Sequence, residues 1–205
     1  MDDYQPVKLK NAVSESDHVQ GPSDAAVTLV EYGDFECIDC GRAFPAIRAL
    51  RRLLDLQLRF VYRHFPIAMN HPHAFRAAEA AEAANAHGKF WEMHDQLFEH
   101  QDALEDHHLT HYAKHIGLDV AQFERDLNEH SFLKKIENDY QRSLFDEHIT
   151  GTPTIYVNEL RYTGPTDSES LLISIKAADV NNRIEMPETT TGIRGLLHRL
   201  RHHGG

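Results

Sequence analysis

The chain has 205 residues, of which 41% are hydrophobic and 26% are charged, a composition typical of a soluble globular protein with one well-buried core. Its formal net charge of −11 at neutral pH argues against nucleic acid as the main partner. The first residues do not have the basic and apolar regions of a secretory signal, and no apolar run is long enough to cross a membrane. We therefore expect a cytoplasmic protein with no membrane span.

The beginning of the chain is polar and then changes abruptly to an apolar run. Residues 1–24 are rich in polar residues, glycine and proline, which predicts a flexible N-terminal lead-in. Residues 27–32 are almost continuously apolar, which indicates an interior strand covered on both faces. Glu31 interrupts that run. It is either a strand-end carboxylate that reaches water or a partly buried acid that exchanges protons with Cys40.

The strand is followed by the two cysteines of the chain, Cys37 and Cys40, at the start of a predicted helix that ends near Leu54. A Cys-x-x-Cys motif between a strand and a helix is typical of a redox site. The unpaired N–H groups and positive dipole at a helix N-terminus favour a thiolate at Cys37. Cys37 would attack a substrate disulfide, and Cys40 would resolve the mixed disulfide. No other cysteine can complete a zinc site, although a mixed site with histidines stays open.

The remainder of the chain alternates between β and helical patterns. Residues 58–63 predict a second strand and hence a β-α-β unit, whereas residues 67–147 have helical periodicity and much alanine and glutamate. Strand character returns from Ile149. An all-helical block between two β regions indicates an insertion into an α/β domain. The predicted segments are the lead-in, an α/β domain of residues 25–66 plus 148–179, a helical insertion at 67–147, and a C-terminal tail at 180–205.

Two local sequence signals predict a turn and a helix start in the last part of the α/β domain. Asn158-Glu159 lies between two apolar segments, which predicts a hairpin turn and a partner strand at residues 160–163. Thr166 or Asp167 is a suitable N-cap for a helix that runs to about Ala178.

The segment Gly151-Thr152-Pro153 precedes the strand that follows the helical block. Proline donates no hydrogen bond to a sheet, so it suits the start of a strand. A cis Thr152–Pro153 bond would turn the Thr152 backbone outward, where it can pair with an extended peptide. The alternative is an ordinary trans proline. We interpret Thr152 and Pro153 as candidate substrate-binding residues.

Three segments, at residues 35–40, 88–94 and 151–154, together resemble the DsbA-like thiol:disulfide oxidoreductases. The resemblance extends from about Asp17 to Ala178 and leaves both termini uncovered. It implies a thioredoxin-like fold, formed by residues 25–66 plus 148–179, that is interrupted by a helical domain.

The same resemblance implies roles for individual residues. Cys37 would be the nucleophile, Cys40 the resolving thiol and Pro153 the cis-proline that faces them, while Glu31 would be the buried acid of the family. No cofactor is implied beyond the redox-active Cys37–Cys40 pair. The implied partners are disulfide- or thiol-containing proteins or small thiols, together with an unknown redox partner.

The residues between the cysteines differ from the pattern of the strongly oxidising members. Those members often have proline and histidine there, whereas this chain has Ile38 and Asp39. A histidinium stabilises a neighbouring thiolate, and the negative charge of Asp39 opposes it. Ile38 and Asp39 are therefore candidate tuning residues, and we expect Cys37 to be less acidic than in the periplasmic oxidases.

Three other functions are compatible with parts of the sequence. His107, His111 and His115 are four residues apart, so one helix face could bind zinc, nickel or copper. A glutathione-dependent transferase or isomerase could use the same fold, although such relatives usually lack the paired cysteines. The acidic helices could also form a non-catalytic module that binds a partner, for which Cys37 would be dispensable.

Overall fold

A computed structural model of the chain describes residues 7–186, so the larger part of the predicted C-terminal tail lies outside the described residues. Within this range the chain forms five strands and seven α-helices. The elements are β1 (His18–Gln20), β2 (Val27–Gly33), α1 (Ile38–Leu54), β3 (Leu58–His64), α2 (Ala74–Asn85), α3 (Phe90–Glu99), α4 (Asp106–His115), α5 (Val120–Asn128), α6 (Leu133–Phe145), β4 (Thr154–Val157), β5 (Leu160–Tyr162) and α7 (Ser168–Ala178). No helix in residues 7–186 combines the length and apolar character that a membrane span requires.

The described residues divide into two compact units. The first contains residues 7–31, 42–62 and 154–186, and the second contains residues 32–41 and 63–153. This division differs from the predicted domains because residues 32–41, which carry both cysteines, group with the helices rather than with the α/β domain. The physical reason is that side chains from residues 63–153 hydrogen-bond this stretch, for example Gln101 to the backbone of Cys37.

The first unit is built on a five-stranded sheet with the order β1-β3-β2-β4-β5. β1 pairs antiparallel with β3, so that His18 lies opposite Tyr62. This strand lies inside the predicted lead-in, where three residues are too short to produce a recognisable alternation. β4 and β5 also pair antiparallel, with Val157 opposite Leu160.

The turn between β4 and β5 and the helix that follows agree with the sequence prediction. Asn158 and Glu159 both have positive φ angles, 44° and 69°, as a two-residue hairpin turn requires. The carboxylate of Asp167 accepts hydrogen bonds from the backbone N–H groups of Glu169 and Ser170, so Asp167 caps α7. α7 packs against β4. Its buried side chains are Ser168, Leu171, Leu172 and Ile175.

The centre of the second unit is the alanine-rich helix α2, which contacts α3, α4, α5 and α6. Seven of its alanines are buried, and their small side chains allow the neighbouring helices to approach closely. α2 also buries two carboxylates, Glu79 and Glu82. A buried carboxylate is tolerated only when it is paired.

Both buried carboxylates of α2 have basic partners. Glu79 is bonded to His130, at 3.1 Å, and Glu82 lies 2.7 Å from the amine of Lys135 and 3.2 Å from Nε2 of His64. Burial alone would lower the pKa of Lys135, but the carboxylate of Glu82 raises it above its usual value. Lys135 therefore stays protonated in this helical unit because the carboxylate of Glu82 is its partner.

We expect the variant Asp167→Ala to lower the free energy of unfolding by about 1 kcal/mol, since two backbone N–H groups at the start of α7 lose their acceptor. Urea denaturation of the purified protein measures this change. Asp167→Asn retains an acceptor oxygen and is the matched control, which should lose much less. Equal stability of Asp167→Ala and the parent protein would show that this cap does not stabilise the fold.

Candidate active site

Cys37 lies between the end of β2 and the first residue of α1. Its backbone N–H donates to the carbonyl of Asp34, at 3.1 Å, and its own carbonyl accepts from the N–H of Gly41, at 3.0 Å. These bonds make Cys37 the residue from which the first helical turn starts. Both Cys37 and Cys40 are free thiols and are buried. The structure therefore places Cys37 at the helix N-terminus, where the motif predicts it.

The thiol of Cys37 is strongly acidic. Its pKa is lowered to about 5, mainly by a hydrogen bond with the side chain of Cys40. Burial opposes this effect, while the side chain of Thr152 and the backbone N–H groups of Cys40 and Asp39 lower the pKa further. Cys37 is therefore mostly a thiolate at neutral pH, and Cys40 is close enough to influence it directly.

The segment Thr152-Pro153 lies next to Cys37, although the two are far apart in sequence. The thiol of Cys37 donates to the backbone carbonyl of Thr152, with a sulfur–oxygen distance of 3.3 Å. The Thr152–Pro153 peptide bond is cis. The fold thus brings together the two halves of the predicted site.

The two residues between the cysteines contribute in different ways. Ile38 is 66% exposed, so an apolar side chain borders the reactive sulfur. Asp39 is exposed as well, and its backbone N–H helps to lower the pKa of Cys37. The position of Asp39 in the first turn of α1 also suits the positive end of the helix dipole.

Gln101 supports the cysteine loop and is not recognisable from the sequence. Its side-chain amide donates to the carbonyl of Phe35, at 2.8 Å, and to that of Cys37, at 2.9 Å. A Cβ atom on Gly41 would collide with the Gln101 side chain, so glycine at position 41 leaves room for this amide. An isolated glutamine in the turn between α3 and α4 carries no motif, and only its position in the fold reveals its role.

A second support is a pair of histidines that the sequence analysis also missed. Nδ1 of His71 lies 2.7 Å from the carboxylate of Asp34, and Nδ1 of His73 lies 2.9 Å from that of Glu36. The His-Pro-His spacing before α2 is the only signal that could have indicated them. These two pairs connect the residues immediately before Cys37 to the segment that leads into α2.

Phe35 anchors the loop through aromatic contacts. Its ring lies 4.9 Å from that of Phe98 and 5.8 Å from those of His64 and His94, measured between centroids. His94 belongs to the segment 88–94 on which the family resemblance partly rests. The contact joins that segment to the loop that carries the Cys-x-x-Cys motif.

Glu31 is buried in β2, at 2% exposure, and belongs to the first unit. This burial rules out the interpretation of a strand-end carboxylate in contact with water. Its role as a proton donor or acceptor for Cys40 stays a prediction.

The histidines of α4 are not assembled as a metal site. The ring of His107 lies 3.8 Å from that of His108, while Nδ1 of His108 contacts the carboxylate of Glu105. In the part of the chain that the structure describes, His107, His111 and His115 do not form a group of three ligand atoms within 4.8 Å of one another.

Known proteins are similar in sequence to this chain over most of its length. A family model described as thioredoxin matches residues 13–177. The Na(+)/H(+) antiporter NhaA 1 of Mycolicibacterium vanbaalenii is 43% identical over 178 residues, which are 84% of this chain and 29% of that protein. The antiporter NhaA of Herminiimonas arsenicoxydans is 39% identical over 181 residues, 88% of this chain and 28% of that protein. The chain thus spans less than a third of the length of these curated relatives.

Solved structures share the fold. A thioredoxin-like oxidoreductase from Silicibacter pomeroyi has a TM-score of 0.70 at 27% identity, covering 80% of this chain and 93% of that one. Oxidised BdbD from Bacillus subtilis has a TM-score of 0.68 at 26% identity, covering 78% and 91%. For alpha-DsbA1 from Wolbachia pipientis the TM-score is 0.71 at 17% identity, with 82% and 94% covered.

These comparisons confirm the predicted fold class, an α/β thioredoxin-like fold that carries additional helices. Since the family model covers all but the two ends of the chain, the protein belongs to the thioredoxin family, and its fold is that of the DsbA-like members.

Proposed function

We propose that the chain is a protein disulfide oxidoreductase that exchanges disulfides with protein or small-thiol substrates through Cys37 and Cys40. The observation that carries this proposal is the position of the Cys37 thiol, which lies at the N-terminus of α1 with its sulfur 3.3 Å from the carbonyl of Thr152. Its pKa is lowered to about 5, mainly by the thiol of Cys40. A thiolate at neutral pH is the species that attacks a disulfide. The similar solved structure from Silicibacter pomeroyi, described as a thioredoxin-like oxidoreductase, supports the same chemistry.

In the reducing direction the cycle has two displacement steps. The Cys37 thiolate attacks a substrate disulfide, forming a mixed disulfide and releasing one substrate thiolate. Cys40 then loses its proton and attacks the Cys37 sulfur, which forms the Cys37–Cys40 disulfide and releases the second substrate thiolate. Two electrons pass to the substrate. The same steps in reverse oxidise a substrate dithiol.

The substrate-binding part of the proposal rests on the backbone of Thr152. Its carbonyl accepts a bond from the Cys37 thiol at 3.3 Å. When Cys37 ionises, this acceptor is free for a substrate N–H group, and an extended peptide bound there lies beside the reactive sulfur. The exposed side chain of Ile38 adds an apolar contact at the same place. Thr152 and Pro153 therefore position the substrate, and Ile38 borders it.

The activity proposed for this chain is disulfide exchange and does not include ion transport. The curated relatives are named as Na(+)/H(+) antiporters, but this chain corresponds to only 28–29% of the length of the two described above. A glutathione-dependent transferase or isomerase needs a single reactive thiol. The direct effect of Cys40 on the pKa of Cys37 favours the dithiol cycle over that alternative.

The variant Cys40→Ala should lose turnover and accumulate mixed disulfides, because no resolving thiol remains to release the substrate from Cys37. Insulin reduction in the presence of dithiothreitol measures turnover, and mass spectrometry under non-reducing conditions detects the adducts. Cys37→Ala is the matched control and should form no adduct. Full turnover of Cys40→Ala with glutathione would support the monothiol alternative instead.

Alkylation of Cys37 by iodoacetamide should slow as the pH is lowered through about 5, since only the thiolate reacts and its proton returns in that range. Asp39→His replaces a negative charge by a cation and should move the midpoint of this profile to lower pH. Asp39→Asn removes the charge alone and should give an intermediate midpoint. An unchanged or higher midpoint in Asp39→His would contradict a tuning role for Asp39.

We further propose that Glu31 transfers the proton of Cys40 during the second displacement, a role that its burial permits. Glu31→Gln should then slow the decay of the mixed disulfide roughly 10- to 100-fold while leaving the initial attack by Cys37 unchanged. Stopped-flow measurement of the two phases separates them. Equal decay rates in the variant and the parent protein would exclude this role.

A further inference from the structure

The carboxylate of Asp34 is the centre of a hydrogen-bond cluster beside the nucleophile. The side chain is completely buried, and its two oxygens accept from the backbone N–H of Glu36, the backbone N–H of Ile67 and Nδ1 of His71, at 2.8, 2.8 and 2.7 Å. The backbone carbonyl of the same aspartate accepts from the N–H of Cys37. Asp34 therefore fixes the His71 ring to the short loop that carries the reactive sulfur.

The imidazole of His71 is held in one orientation by this contact. Its Nδ1 donates to a buried carboxylate, an arrangement that supports a proton on the other ring nitrogen as well. Burial lowers the pKa of His71, but the hydrogen bond and the charge of Asp34 raise it. The charges of Cys37 and Glu36 raise it further, so the net shift is upward. Because Asp34 binds both the His71 ring and the backbone N–H of Cys37, the ring is held beside the loop that carries the reactive sulfur.

An electrostatic influence of Cys37 on His71 is necessarily mutual. A thiolate that favours the protonated imidazole is itself favoured by that imidazolium, by the same free energy. The charged groups that face His71 are Asp34, Glu36 and Cys37, all of them negative when ionised. A protonated His71 would therefore partly offset a local excess of negative charge.

We propose that His71 is a positioning residue for Cys37: held by Asp34, its imidazolium stabilises the thiolate of the reduced protein, and it gives up part of its proton when the disulfide forms. This inference rests on the thiol-disulfide exchange proposed above. On oxidation, two electrons pass from the two sulfurs to the substrate disulfide, and the proton of Cys40 leaves with the displaced thiolate. The negative charge at Cys37 disappears in that step, so His71 then holds its proton less tightly and releases a fraction of it to water.

The neighbouring pair of His73 and Glu36 supplies a matched control. Nδ1 of His73 contacts the Glu36 carboxylate at 2.9 Å, in the same manner as His71 contacts Asp34. The His73 side chain is 40% exposed, compared with 21% for His71, so water surrounds it more fully. A change at His73 therefore tests whether any loss of a histidine–carboxylate pair affects the site.

His71→Asn separates the charge from the hydrogen bond, because the Asn side-chain amide can donate to Asp34 from nearly the place of Nδ1 but carries no charge. We expect the midpoint of the Cys37 thiolate titration, followed by absorbance at 240 nm, to rise by about 0.5–1 pH unit. His73→Asn should leave it unchanged. A midpoint in His71→Asn equal to that of the parent protein would overturn the proposal.

A second measurement uses the parent protein and does not depend on the folding of any variant. NMR titration of the Cε1 proton of His71 should give a higher midpoint in the reduced state than in the disulfide state, since only the reduced state carries the thiolate. Equal midpoints would exclude the proposed coupling. Failure of insulin reduction with the two midpoints still different would refute the proposed exchange activity but not the coupling of His71 to Cys37.

Discussion

The site depends on the ionisation of one sulfur atom, that of Cys37. Burial works against the Cys37 thiolate, so the low pKa of about 5 exists only because hydrogen-bond donors converge on the sulfur. They come from the first turn of α1, in the form of the Cys40 side chain and backbone N–H groups. Thr152, at the far end of the helical segment, also lowers the pKa of Cys37. The reactivity of Cys37 therefore depends on the tertiary structure as well as on the Cys-x-x-Cys motif.

The unit that holds this sulfur also buries carboxylates, each of which is paired with a basic side chain. α2 buries Glu79 and Glu82 among alanines, and their carboxylates are bonded to His130 and Lys135. In the loop before Cys37, the buried carboxylate of Asp34 is likewise bonded to a basic side chain, that of His71. Loss of one partner leaves the other group unpaired in an environment of low polarity, which is unfavourable. Each pair therefore restrains the positions of both of its side chains.

The cysteine pair of this chain has a different setting from that of the strongly oxidising members of the family it resembles. Those members often have a histidine between the two cysteines, whereas this chain has Ile38 and Asp39. An imidazole nevertheless lies beside the loop that carries Cys37, since Nδ1 of His71, in the segment before α2, is 2.7 Å from the carboxylate of Asp34. Electrostatic tuning of a thiolate requires only that a charge be nearby, so the group can come from any segment that the fold brings close.

The sequence by itself determined the features that depend on neighbouring residues: the helix start at the cysteines, the Asn158-Glu159 hairpin, the cap at Asp167 and the α/β class. Such signals are local because turns, caps and periodicity involve residues a few positions apart. Only the tertiary structure decided that Gln101 holds the Cys37 backbone, that Asp34 binds His71, and that residues 32–41 group with the helices. The bond between Cys37 and Thr152 spans 115 residues, and a contact over that separation leaves no periodic pattern in the chain from which it could be predicted.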